Sequence, residues 1–269
     1  MTEVIAPSAE PAGQAQQEIE SGQKSGNRVS VEQLLKGGCH FGHLTARWNP
    51  KMKPYIFMER NNIHIIDLMQ TQKMLDAAAD AASRFARHGK RILFVGTKKQ
   101  AKDIVRKYAE EADSPYVVER WLGGTLTNFQ TIRKSIRRME DLAKMESEGV
   151  FEVLKKKERL MRTREHEKLE RVLSGIAEMP RLPGAIFIVD INREHIAVDE
   201  AKKLGIPIIA MADTNCDPDQ ADYPIPANDD ALKSIELITS VIAQAVNEGR
   251  RAKDVHEAGE KAEKEKKES

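Results

Sequence analysis

The chain has 269 residues, of which 40% are hydrophobic, 32% charged and 5% aromatic, with 43 Lys and Arg against 42 Asp and Glu and a formal net charge of +1. Such a length supports a core without covalent staples, and the even charge argues against both a uniformly basic nucleic-acid binder and an acidic disordered chain. The two cysteines, Cys39 and Cys216, exclude a disulfide-rich scaffold, and no apolar run approaches the roughly 18 residues of a membrane span. With a polar, acidic start unlike a signal peptide, the chain reads as soluble and cytoplasmic.

Residues 1–27 hold Glu3, Glu10, Glu18 and Glu20 against Lys24 alone, with Pro7 and Pro11, and read as a disordered acidic leader. Ser30 and Gln33 form the ends of a capping box that opens a short helix stopped at Gly37-Gly38. Apolar runs at 55–58 and 63–66 flank Glu59-Arg60-Asn61-Asn62, which predicts two strands and a tight turn. Met74, Leu75, Ala78, Ala82 and Phe85 share one stripe, so a helix is expected over about 69–87 with Gly89 as its stop.

The continuous apolar run Ile92-Leu93-Phe94-Val95 reads as a strand buried on both faces, followed by a helix over about 99–111 and a short strand at 116–118. Strands are expected again at 185–189 and 207–211, with a helix near 198–204 between them and a closing helix from Asn228 or Asp229. This alternation means a parallel sheet covered by helices on both faces, over 28–127 and 179–249. From 128 to 178 no strand is expected. Phe129, Ile132, Ile136, Met139 and Leu142 recur every three or four residues, as do Leu160, Leu169, Val172 and Ile176 more loosely beyond Gly149. Two helices hinged there predict an inserted antiparallel coiled-coil hairpin. The tail, 250–269, alternates Lys and Glu and reads as either a fraying solvated helix or disordered chain.

Chemistry-bearing motifs are sparse. Neither a G-x-x-x-x-G-K-[ST] nor a G-x-G-x-x-G pattern is present, and Gly96-Thr97-Lys98-Lys99 offers one glycine where wrapping a diphosphate takes several. A plain strand-to-helix turn fits it better. Cys39, His40 and His43 are zinc-type donors, but too few for a site on their own, and a turn with packed histidines is preferred. Asp213-Thr214-Asn215-Cys216-Asp217-Pro218-Asp219 follows a strand end, with Asp190 at an equivalent end. These carboxylates suit either Mg²⁺ and acid–base chemistry or an Asx turn, and the turn fits better. No cofactor, metal or catalytic residue is assigned. A nucleotide-dependent enzyme using Lys98, Asp190 and Asp213 is the rival class.

Charge location says more than charge sum. Nine cations from Arg84 to Lys107, among them Lys90, Arg91, Lys98, Lys99, Lys102 and Arg106, face only Asp103 within their window. Arg47, Lys51 and Lys53 surround Trp48, whose indole can stack on a base or equally anchor its loop. Arg133, Lys134, Arg137 and Arg138 cluster on the insertion, whereas Asp190 to Asp230 holds ten acidic residues and three basic ones. Basic segments spread over a body and an arm suit phosphates of a folded RNA. The candidate RNA-binding residues are therefore Arg47, Trp48, Lys51, Lys53, Lys98, Lys99, Lys102, Arg106, Arg133, Lys134, Arg137 and Arg138.

Several of these segments also carry a resemblance. Gly38-Cys39-His40-Phe41-Gly42-His43, Arg47-Trp48-Asn49-Pro50-Lys51-Met52-Lys53-Pro54-Tyr55-Ile56 and Arg120-Trp121-Leu122-Gly123-Gly124-Thr125-Leu126-Thr127-Asn128 resemble the bacterial small-subunit ribosomal protein S-two family. So do Pro183-Gly184-Ala185-Ile186-Phe187-Ile188-Val189-Asp190, Gly205-Ile206-Pro207-Ile208-Ile209-Ala210 and Asp213-Thr214-Asn215, in order along about 29–249. The resemblance implies a flavodoxin-like α/β fold with the coiled-coil hairpin inserted, no catalysis, and a structural place in the small ribosomal subunit. It further implies ribosomal RNA, neighbouring small-subunit proteins and a large OB-repeat protein that captures messenger RNA as partners.

Overall fold

The computed structural model describes residues 27–268, so the leader expected at 1–27 lies outside the described residues but for Asn27, and beyond His256 only helical backbone is described. The first helix, α1 (Val31–Lys36), opens on the expected capping box: Ser30 Oγ accepts from the Gln33 amide and Gln33 Oε1 from the Ser30 amide. Three short strands follow, β1 (Phe41–Leu44), β2 (Ile56–Arg60) and β3 (Ile63–Ile66), in an antiparallel sheet of order β1-β3-β2. Asn61 and Asn62, with φ of 53° and 60°, make the turn between β2 and β3, a conformation that asparagine tolerates better than most residues.

The second sheet is parallel and five-stranded, in the order β5-β4-β6-β7-β8: β4 (Ile92–Val95), β5 (Tyr116–Val117), β6 (Ala185–Val189), β7 (Ile208–Ala212) and β8 (Tyr223–Pro226). Strand β8 carries Pro224 and Pro226 and went unread in the sequence. A proline cannot donate to a ladder, and an edge position is where a sheet tolerates it. Successive residues of the central strands point to opposite faces. Ile92, Phe94, Phe187, Val189, Ile209 and Met211 join one core with α2 (Leu68–Arg87), α3 (Lys102–Glu111) and α8 (Leu232–Glu268). Leu93, Val95, Ile186, Ile188, Ile208 and Ala210 join the other, with α7 (His195–Leu204) and with Ile132, Ile136 and Leu173 from the segment between β5 and β6. Burying each such side chain contributes roughly 1.5–3 kcal/mol, which explains why both faces must be covered.

Helix α3 starts three residues later than expected, because residues 98–101 form a separate turn in which the Ala101 and Lys102 amides both donate to the Lys98 carbonyl. Helices α2 and α8 pack against each other over one face of the sheet, and Gly249 brings them together closely. A Cβ built there would lie 2.2 Å from the Ser83 carbonyl oxygen.

The 128–178 segment holds α4 (Phe129–Ser147), a single turn α5 (Val150–Val153) and α6 (Lys156–Leu173), with Gly149 at φ 75° between the first two. Arg133 donates to the Met179 carbonyl at 3.1 Å, while Glu146 faces His166 farther along, so α4 and α6 run in opposite senses as they pack. Ile132, Ile136 and Met139 anchor this pair to the body core, and Leu142 and Phe151 are buried. Leu160, expected on the apolar stripe, is instead 49% exposed.

Candidate functional site

In an open parallel sheet, ligands favour the carboxyl ends of strands where neighbouring connections diverge. That point lies between β4, whose chain leaves for β5 on one side, and β6 on the other. After β4 comes Thr97, whose amide and hydroxyl both donate to Glu194 Oε1, at 2.9 and 2.6 Å. Arg193 Nε donates to Thr97 Oγ1 at 3.0 Å. The protein's own carboxylate thus takes two donors that a phosphate could use, and Glu194 is buried, which pushes its carboxyl upward despite these bonds. This internal carboxylate argues against the nucleotide reading.

Beside it sits a cluster of acids. Lys98 places its ammonium 2.6 Å from both Asp229 Oδ1 and Asp230 Oδ1, and 3.5 Å from Asp190 Oδ2. Burial works against that ammonium, but the three aspartates outweigh it and its pKa is raised. Burial, together with Asp213 and Asp190, pushes the Asp229 carboxyl up to about 7, even with Lys98 pulling the other way. His43, from β1, lies 3.0 Å from Asp213 Oδ1 and 3.5 Å from Asp230 Oδ2, and the nearby Asp213 carboxylate raises its pKa against burial. Two donor sets converge here to within 4.8 Å: His43, Asp229 and Asp230, and Asp190, Cys216 and Asp229. Burial and these aspartates push the Cys216 thiol up to about 12, so it is a neutral thiol at pH 7.

The sequence named Asp190 and Asp213 but missed Asp229 and Asp230, which looked like the start of a helix. Their signal was their place after the unread strand β8. The Cys39, His40 and His43 motif is split by the fold: His43 joins the acids, whereas Cys39 and His40 belong to neither donor set. The proposed Asx turn does form, since Asp217 accepts from the Asp219 amide at 3.1 Å.

The twelve candidate RNA-binding residues are not brought together. Lys51 pairs with Asp217 and Asp219 at 2.8 and 2.9 Å, Lys102 with Glu119 at 2.7 Å, and Arg106 with the same carboxylate at 3.9 Å. Arg138 forks onto Glu165 at 3.1 and 3.2 Å, Arg133 serves the Met179 carbonyl, and Lys98 is enclosed by aspartates. Trp48 is half-buried with its ring 5.0 Å from His64. Arg47, Lys53, Lys99, Lys134 and Arg137 are exposed and form no ion pair among the described residues.

A further constellation fixes the loop after β5. Glu200, on α7, accepts from Trp121 Nε1 at 3.1 Å, from the amides of Gly124, Leu126 and Thr127 at 2.7 to 2.9 Å, and from Thr127 Oγ1 at 3.0 Å. Burial alone would raise this carboxyl, yet the converging donors hold it below its ordinary value. The Arg120-to-Asn128 motif is thereby shaped by one buried anion.

The profile of the Ribosomal protein S2 family matches residues 34–249 of the chain. The chain belongs to that family. Small ribosomal subunit protein uS2 of Salinibacter ruber is 68% identical over 223 residues, covering 83% of this chain and 70% of that protein. The proteins of the same name from Chloroherpeton thalassium and Chlorobaculum parvum are 63% and 58% identical, covering 81% and 86% of this chain and 88% and 92% of theirs. The family comprises structural proteins of the ribosome and not enzymes, in keeping with a strand-end site whose anion position is filled from within. No helix among the described residues is long and apolar enough to cross a membrane.

Proposed function

We propose that this chain is a structural constituent of the small ribosomal subunit in the cytoplasm, where it binds ribosomal RNA through basic surfaces of the α/β body and of the helical insertion. Membership of the Ribosomal protein S2 family carries this reading. The exposed cations Arg47, Lys53, Lys99, Lys134 and Arg137, which neutralise no carboxylate of their own chain, support its RNA part. Phosphate contacts of this kind set position without reading base sequence. The packing of α4 on α6 supports a coiled-coil hairpin at 128–178, inserted into the body formed by 28–127 and 179–249. Docking of a large OB-repeat protein that captures messenger RNA, and support of subunit assembly, rest on the resemblance in the sequence motifs.

Arg133 and Arg138 hold the insertion together, so the informative change is at their exposed neighbours. Reversing Lys134 and Arg137 to Glu should lower occupancy of the chain in small subunits isolated by sedimentation while leaving its unfolding midpoint within about 2 °C, as surface substitutions do. Full occupancy would take the insertion out of the RNA interface.

A further inference from the structure

The two ends of the parallel sheet carry opposite charge. The carboxyl end holds Asp190, Asp213, Asp229 and Asp230 around one lysine. At the amino end a cleft of about 840 Å³ opens between the start of β4 and the start of β6, lined by His88, Lys90, Arg91, Arg181 and one acid, Glu178. The three permanent cations are exposed, and none forms an ion pair among the described residues. Arg91 donates to the Glu178 carbonyl at 3.3 Å and Arg181 loosely to the Gly89 carbonyl at 3.5 Å. Both contacts are to neutral oxygens and leave the positive charge unanswered.

Lys90 is also held in place. Gly184 lies under its stem, and a Cβ there would come within 2.4 Å of Lys90 Cβ and 2.7 Å of its Cδ, so only glycine admits the side chain in this position. The ammonium is 5.9 Å from the centre of the Phe85 ring, a cation–π contact that further limits its freedom. A lysine whose stem is seated by a backbone gap loses less side-chain entropy on meeting an anion than a freely solvated one.

We propose that this amino-edge cleft binds a stretch of RNA sugar-phosphate backbone, with Lys90 and Arg181 each neutralising a phosphate and Arg91 shaping the floor. The inference rests on the reading of the chain as an RNA-binding protein and names a site for it. Charge complementarity commits the cleft to a polyanion. Its volume falls within the range of small-ligand pockets, while its open, cation-lined form suits a continuous backbone better than an enclosed small anion. Several cations singled out in the sequence are neutralised by their own chain, whereas those of the cleft are not.

The test is filter binding of the full chain to small-subunit ribosomal RNA transcribed in vitro, over roughly 50 to 200 mM salt. Replacing Lys90 and Arg181 together by Gln should lower the slope of log affinity against log salt by about 0.7 to 0.9 per lost contact, hence about 1.4 to 1.8 in all. The variant Lys90→Arg with Arg181→Lys, which keeps both charges, should restore the slope. An unchanged slope in the Gln variant, beside a wild type that binds, overturns the cleft and leaves the wider RNA reading standing. A wild type that fails to bind overturns that wider reading and the cleft with it. If the Gln variant keeps its RNA slope and instead loses binding of poly-glutamate, the occupant is an acidic protein and the proposal is wrong.

Discussion

The Glu200 carboxylate accepts the indole N–H of Trp121 at 3.1 Å and, through the same two oxygens, fixes the loop that runs on to α4. One side chain on α7 therefore holds the loop that leads from β5 to α4. Five donors share two acceptor oxygens, an arrangement only an anion can serve fully.

Glu200→Gln should cost about 3 kcal/mol, since an amide offers one acceptor oxygen and turns two N–H groups toward existing donors. The sign of the pH dependence follows from the depressed carboxyl. Its contribution is present above the unfolded value near 4.5 and is lost as pH falls through the lower folded value. Urea unfolding of both proteins checks this: the wild type should weaken across that acid window and the variant should show less of the same loss.

Asp229 titrates in the opposite sense. The folded chain keeps its proton up to about 7, while the unfolded chain releases it near 3.8, so between these values the folded state binds more protons and stability falls as pH rises. The raised His43 adds to that sign, because its stabilising proton is retained below the ordinary value of 6.5 and lost as pH climbs through the folded one. Asp229→Asn removes the Asp229 part of this pH dependence. Thermal midpoints at about pH 5 and about pH 8, taken with a chelator present, should differ less in the variant than in the wild type. An equal difference in both would show that Asp229 is ionised throughout.

Gly249 sets the spacing of α2 and α8. Alanine there would place Cβ 2.2 Å from the Ser83 carbonyl oxygen and 2.8 Å from Ala86 Cβ, so the helices must separate, at a cost of about 2 to 3 kcal/mol. A calorimetric midpoint lowered by roughly 5 to 10 °C is expected for a domain of this size. Gly123→Ala, with no atom within 4 Å of the added carbon, should change it by less than about 2 °C.

Local and periodic features were legible in the residues themselves. The capping box at Ser30, the stripe of α2 and the apolar runs of β4, β6 and β7 needed no partner to be recognised, because helix and strand periods are properties of short segments. Strand β8 was hidden because its prolines contradict strand propensity, and only an edge place in a sheet makes them acceptable. The family-like motifs were readable for the same reason that they are specific: each is a contiguous run.

Which charges face outward was a different matter. The sequence showed a basic stretch from Arg84 to Lys107, yet the fold gives Lys98 to the buried Asp229, 131 residues away, and Lys102 to Glu119, and leaves Lys90 and Arg91 exposed. A charge is neutralised by what lies within a few ångströms, and sequence distance says little about that when β4 and the turn after β8 meet at one sheet edge. The sequence by itself determined the strongly periodic helices, the central strands, their alternation and the family. The tertiary structure alone decided that Asp190, Asp213, Asp229 and Asp230 gather at the carboxyl edge and that Lys90, Arg91 and Arg181 meet at the amino edge with no ion pair among the described residues, because the parallel sheet brings the ends of distant strands together.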